Sequence, residues 1–446
     1  MKTRKILFAA MPFEGHFNPL TGIARYLQSQ GHDVRWYAGG SYARKLAKLE
    51  IPHYPFQKAP EINQENMDAV LPDRANHKGA IAKLKFDIKH VFVLPIPDMM
   101  TDIEQIHKEF KFDVIVCDNA FAAGYIVREK FKVPLVSIGV LPLSETSKDL
   151  APMGLGLTPP NNFFQRQWYG VLRYLIVKMV LKESSLLFNT ILRQFGVPPV
   201  AKANSIFDLA PRESDVYLQS GVPGFEYPRQ DLSPMVRFVG PLLPCKSSTM
   251  AGFKHLNKLS NYKKVILVTQ GTVERDAEKL LVPTLEAFKD THYLVVVTTG
   301  GSQTQQLRER YPHDNIVIED FIDFRAIMPL ADVYVTNGGY GGVMLSLENK
   351  LPLVVAGVHE GKNEINARVG YFKLGINLKT ETPTPGQVRQ AVERVLTDDT
   401  YKRNVHRLSQ EFERFNPNQL CEQYIMEVLE GEERELFKAR PLNSFA

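Results

Sequence analysis

Two doubly wound α/β domains, each a parallel sheet with helices on both faces and the pair facing a cleft, are the fold this sequence predicts. Three observations predict it. At 446 residues the chain exceeds one ordinary core, and two domains of roughly 200 residues are the natural division. Short apolar runs alternate with helical patterns, the βαβ rhythm of parallel sheets. The rhythm stops in a Pro/Gly/Ser-rich passage near 236–250 and then starts again.

The first forty residues read as strand, loop, helix, strand. Residues 5–10 form a buried strand, and Leu20, Ile23, Ala24 and Leu27 mark one helical face. Asn18 is the expected N-cap, with Pro19 at the first helical position, and Gly31-His32 ends the helix. Strands follow at 34–37, 114–117 and 135–138. Residues 60–90 and 141–200 interrupt the alternation. The second stretch interleaves Phe163, Phe164, Trp168, Tyr169 and Tyr174 with Arg166, Arg173, Lys178 and Lys182. It reads mainly as amphipathic helices covering the sheet; of the sharper readings, an apolar acceptor pocket is preferred to a membrane-surface patch because the basic residues are spread out. The text VRFVGPLLP and the CKSSTMAG after it read as a linker. Strands resume at 265–269, 293–298, 316–318, 333–336 and 353–356. The expected division is 1–240, a linker at 241–260, 261–416, and a terminal helical segment at 417–446 that packs back on the first domain.

Composition narrows the function classes. The chain is 44% hydrophobic and 23% charged, with a net charge of +5. That is a globular profile, and no Lys/Arg block marks a nucleic-acid partner. Three cysteines, Cys117, Cys245 and Cys421, lie far apart without a CxxC or Cys/His cluster, so neither a disulfide framework nor a metal site is expected. The basic, apolar start is broken by Pro12 and Glu14 and reads as a first strand instead of a signal peptide. A cytoplasmic monomer or dimer is the resulting expectation, with small molecules as partners.

In doubly wound folds, ligands bind beyond the carboxyl ends of the strands. Three glycine-bearing turns lie there. In the first, Glu14-Gly15-His16-Phe17-Asn18-Pro19, His16 stands at the start of a helix, whose positive end favours the neutral, proton-accepting ring. Asp118, at another strand end, is placed to fix the tautomer of that ring and to stabilise the imidazolium that proton transfer creates. The blander alternatives make His16 a loop histidine and Asp118 a helix cap. In the second turn, Asn337-Gly338-Gly339-Tyr340-Gly341-Gly342, bare glycines before a helix expected near Val343 let backbone N–H groups approach a pyrophosphate. The third, Thr269-Gln270-Gly271-Thr272, offers hydroxyls to the same phosphates. The pair Gly300-Gly301 reads as a tight turn.

These motifs, together with the VGPL passage and the stretch from Phe321 to Leu378, resemble the GT-B glycosyltransferases. More narrowly, they resemble bacterial macrolide-type and plant secondary-metabolite UDP-glycosyltransferases. The resemblance covers nearly the whole chain. It implies a hexosyltransferase that inverts configuration by single displacement, without metal or cofactor: the histidine deprotonates an acceptor hydroxyl, which attacks the anomeric carbon as nucleotide diphosphate leaves. It makes His16 the base and Asp118 its partner, puts Phe321 where an aromatic ring stacks on the nucleotide base, and puts Gly341, Gly342 and Thr272 at the phosphates. Three positions depart from the pattern. Asn337 stands for a phosphate-binding His, Leu345 for a ribose-gripping Glu, and Lys362-Asn363 for the Asp-Gln pair on the sugar. Glu348 is the nearby substitute for the ribose carboxylate, and Glu360 or Glu364 for the sugar carboxylate. The implied donor is UDP-glucose, with a dTDP-deoxysugar as alternative because thymidine lacks the 2′-hydroxyl. A nucleotide-sugar epimerase or hydrolase and a non-catalytic sugar-nucleotide-binding protein complete the set of readings.

Overall fold

The computed structural model describes residues 2–200, 205–245, 253–271 and 274–431. Among them, two all-parallel sheets carry the architecture, as the βα rhythm predicts. The first contains β1 (Lys5–Ala9), β2 (Asp33–Ala38), β3 (His53–Pro55), β4 (Val114–Asp118), β5 (Leu135–Gly139), β6 (Val216–Ser220) and β7 (Val236–Gly240). Their spatial order is 3-2-1-4-5-6-7. The second contains β8 (Lys264–Thr269), β9 (Tyr293–Thr298), β10 (Ile316–Glu319), β11 (Val333–Thr336), β12 (Leu353–Val355) and β13 (Gly375–Asn377), in the order 10-9-8-11-12-13. Central strands such as VIVCD are buried along their whole length, because helices cover both faces.

Each sheet reverses its order once, between β1 and β4 and between β8 and β11. Loops leaving the two strands at such a point diverge to opposite faces, which opens a crevice at their carboxyl ends. Pairing Ala9 with Cys117 sets Asp118 one step beyond, level with the loop that leaves β1. Pairing Thr336 with Thr269 does the same for the turns that follow β11 and β8.

Several local expectations change. The first helix runs Glu14–Ser29, with extended Phe13 at its N-cap, so Asn18 is not the cap and Pro19 lies inside. Proline there removes a single backbone bond in the second turn, a small loss beside the burial of Phe17, Leu20, Ile23 and Leu27. The helix after β11 starts at Tyr340, three residues before the expected point. VRFVG, read as linker, is the edge strand β7, and 256–259 within the expected linker is a short helix. The helix Pro417–Leu429 packs on Glu14–Ser29, β6 and β7. Its Cys421 and Ile425 join the first sheet's core, where each large aliphatic side chain contributes about 1.5–3 kcal/mol. The largest departure is at 163–180. Phe163, Phe164, Trp168 and Tyr174 do not cover the sheet; they face solvent.

Candidate active site

The β1 and β4 ends bring His16 and Asp118 together across 102 residues of sequence. His16 Nδ1 lies 2.6 Å from Asp118 Oδ1. The carboxylate is buried at the strand end and fully engaged: Oδ2 accepts the Met11 N–H at 2.8 Å, and Oδ1 also accepts the Ala120 N–H at 2.9 Å. Three donors around one carboxylate hold it rigid, and it in turn orients the ring. The imidazole keeps a little exposure, with Nδ1 bonded to the carboxylate. Phe13 lies 5.9 Å from the ring, centroid to centroid, and Phe92 lies 6.1 Å beyond Phe13. The histidine therefore borders an aromatic surface.

The second crevice is built from backbone. Gly339 is the N-cap of Tyr340–Glu348, and the first intrahelical bond runs from Val343 N–H to Gly339 C=O. The N–H groups of 339–342 are the unpaired donors of that helix end, where its dipole favours an anion. A Cβ on Gly339 or Gly341 would meet nothing within 4 Å, so the space beside these donors is open. Gly338 has another reason to be glycine. Its φ is +87°, and a Cβ there would overlap the buried Asn366 side chain. Gly338→Ala is expected to lower stability by about 1–3 kcal/mol, which a thermal melt checks.

Asn337 lies in the same crevice, but its side-chain amide donates to the Gln270 carbonyl across the strand ends. It fastens the β8 turn to the β11 turn, and one of its two N–H groups is thereby engaged. Asn366 completes the fastening, donating to the Asn337 and Gly357 carbonyls at 3.3 and 2.9 Å. Asn366 was missed in the sequence, and Gln270 was named there only as a member of its turn. Asn366 lies one helical turn beyond Asn363, which was the available signal. Thr272 lies outside the described residues.

Phe321 follows β10 and is 72% exposed, so it is no part of the core. Its ring runs along the Gly300-Gly301 turn, at 3.6 Å from where a Gly301 Cβ would stand. An exposed ring on a bare turn is a platform open on one face. Leu345 is half-buried against the second domain's core. Glu348 lies at the far end of its helix, beside Ser409, Phe412 and Glu413, away from the glycine turn, so it does not replace the ribose carboxylate.

The loop at 359–364, expected at the sugar, is engaged by protein groups. Glu360, exposed and in the left-handed region at φ 56°, pairs with Lys362 at 2.7 Å. Asn363 donates to the Gly154 carbonyl of the first domain at 2.6 Å. Glu364 is buried and occupied: Oε1 accepts the Gly154 and Gly156 N–H groups, each at 2.8 Å, and Oε2 meets Arg368 at 3.2 Å. Arg368 also forks onto Glu226 of the first domain at 2.9 and 3.0 Å and lies over the Tyr227 ring. Burial alone would lower this guanidinium's affinity for the proton; the two carboxylates outweigh it and raise that affinity. Tyr340 adds a second tie, donating to the Ser220 carbonyl at 2.7 Å. The helices Glu14–Ser29 and Tyr340–Glu348 also pack on each other, so the two crevices share one cleft. Among the described residues, no cluster of three or more His, Cys, Asp or Glu could hold a metal, and no helix is long and apolar enough to cross a membrane.

Comparison with known proteins agrees with this architecture. Residues 283–425 match the family described as erythromycin biosynthesis protein CIII-like, C-terminal domain. The chain is 34% identical over 408 residues to 4'-demethylrebeccamycin synthase of Lentzea aerocolonigenes, covering 92% of this chain and 95% of that protein. It is 29% identical over 444 residues to UDP-glucosyltransferase 1 of Beauveria bassiana (strain ARSEF 2860), covering 95% of each. The solved glycotransferase of kitacinnamycin shares the fold with a TM-score of 0.74 at 19% identity, over 96% of this chain and all of that one.

Proposed function

This chain belongs to the macrolide-type GT-B glycosyltransferases, and on that premise we propose that it moves a hexose from a nucleotide diphosphate sugar to a hydroxyl of a small lipophilic acceptor, such as a flavonoid, terpenoid or macrolide, with inversion. One observation carries the reading: the 2.6 Å contact of His16 Nδ1 with Asp118, which reserves Nε2 for the acceptor on a ring bordered by Phe13. Nε2 takes the acceptor proton, and the aspartate stabilises the imidazolium that results. The freed alkoxide attacks the anomeric carbon, and the departing diphosphate is met by the N–H groups of 339–342 and the helix dipole. No co-substrate beyond donor and acceptor enters this scheme.

Phe321 stacks on the nucleotide base in this reading. Phe321→Ala is expected to raise the donor KM by about tenfold, from the loss of roughly 1–1.5 kcal/mol of stacking, with no change in Tm because the ring is exposed. Steady-state kinetics with varied donor and a melt check the pair of outcomes.

UDP-glucose is the first donor proposed, supported by relatives named UDP-glucosyltransferases. A second reading, a dTDP-deoxysugar, has a specific observation in its favour. Leu345 holds the position of the ribose-gripping carboxylate, and Glu348 points elsewhere, so a 2′-hydroxyl gains no partner there. A mass-spectrometric screen crossing UDP- and dTDP-sugars with phenolic, terpenoid and macrolide acceptors tests all of this. Glycosylated product supports the proposal, and the donor that gives it decides between the readings. Donor turnover that gives no glycosylated product and is the same with acceptor omitted points to an epimerase or hydrolase instead, and donor binding without any turnover to an accessory role.

A further inference from the structure

The helix Phe163–Leu175, continued by a wider turn at Ile176–Val180, is mounted inside out. Its polar side faces the protein. Arg173 donates to the Leu150 and Lys148 carbonyls, Arg166 pairs with Asp149, and Tyr169 is buried with its hydroxyl on the Thr158 carbonyl at 3.0 Å. Its opposite side carries Phe163, Phe164, Trp168, Val171, Tyr174 and Met179, all exposed; Phe164 is 82% and Met179 66% accessible. At 100° per residue these six fall within an arc of about half the helix, broken by Gln167 and Lys178 alone. Asn162 caps the helix, accepting the Gln165 N–H at 2.9 Å, so the stripe stands on a fixed element.

Charge indicates what covers this face. Residues 150–200 contain five basic side chains and one acidic one, Glu183, which is tied to Lys89 at 2.5 Å. That ion pair joins the helix Lys182–Gln194 to the segment 77–93, which holds four lysines and one aspartate and exposes Ile81 and Leu84. The two segments together carry more positive charge than the chain's net +5, so the remainder is net negative. Aromatic side chains on an outward helix face, flanked by lysines, suit the boundary between headgroups and acyl chains of an anionic bilayer. We propose that the outward face of 163–180 is a peripheral docking surface for an anionic lipid membrane. This departs from the sequence expectation, which set membrane attachment aside because the cations looked scattered; Arg166 and Arg173 turn inward, but Lys178 lies within the stripe, and Lys182 and the lysines of 77–93 stand on elements packed in succession against its end. The proposal does not depend on which sugar is transferred.

The chain carries its own probe. Of its two tryptophans, Trp36 is fully buried and Trp168 lies on the stripe at 54% accessibility. The full-length protein should sediment with phosphatidylcholine vesicles containing phosphatidylglycerol, much less with phosphatidylcholine alone, and its emission should shift to the blue as Trp168 leaves water. Added salt should reverse part of the binding. Phe164→Ser/Met179→Ser, which keeps Trp168 and alters only exposed side chains, should weaken binding by about tenfold or more at unchanged circular dichroism. Lys178→Glu/Lys182→Glu should do the same only for the anionic vesicles. Failure of the wild type to bind anionic vesicles overturns the proposal, as does equal binding by the Phe164/Met179 variant. So does a wild-type dimer in sedimentation velocity that this variant converts to monomer, since a second copy would then own the face.

Discussion

Replacing His16 with alanine is expected to lower kcat by about 10²–10⁴-fold, the range a positioned general base contributes. The loss should appear in kcat, with the donor dissociation constant unchanged, because the ring belongs to the first crevice and the donor to the second. Asp118→Asn is the sharper variant. The amide keeps an oxygen for the Met11 or Ala120 N–H, so the strand end stays folded, yet it cannot stabilise an imidazolium. It should lie within the same range as His16→Ala, and the double variant should be little worse than either single one, since residues that act as a unit are not additive. The measurement is initial rate on the best acceptor of the screen, with donor affinity by calorimetry. Wild-type rates in His16→Ala would remove the base from His16.

Arg368→Met is expected to be the most destabilising single change in the cleft. It leaves Glu226 and Glu364 buried without their cation, a situation that costs about 3–5 kcal/mol. For a domain of this size that is a fall in Tm on the order of 10 °C. Function should suffer for a second reason. Glu364 holds the 154–156 loop of the first domain against the helix that starts beside the sugar-side turn, so loosening it frees that loop. Arg368→Lys should fall between, because an ammonium cannot fork onto Glu226. Differential scanning calorimetry and limited proteolysis within 150–160 read both effects. A variant that melts with the wild type and resists protease equally would show the ion-pair cluster to be ornamental.

Much of this molecule was legible in one dimension for reasons that are local. A run buried on both faces followed by a glycine turn identifies a parallel strand and its ligand-facing end, so β1, β4, β8 and β11 could be read with the turns at His16, Thr269 and Asn337. Short strands failed. β3 and β13 have three residues each and little apolar content, and VRFVG was read as linker because the Pro and Gly that follow it dominate the window. Helix starts slipped by five and by three residues where a cap has no side-chain signal, at Phe13 and Gly339.

The sequence by itself determined the two-sheet class, the histidine at the start of a helix, and the glycine cradle, because periodicity and backbone permissiveness are properties of neighbours along the chain. Tertiary structure decided which groups are occupied. Glu364, a candidate for the sugar on spacing alone, is withdrawn by Gly154, Gly156 and Arg368; Asn337 is engaged by Gln270. A hydrogen bond satisfies whichever partner folding delivers, and those partners lie 67 to 210 residues away, Arg368 apart. The stripe at 163–180 shows the same division. Its period announces an apolar helix face, but only packing decides whether protein covers that face or leaves it to the solvent side.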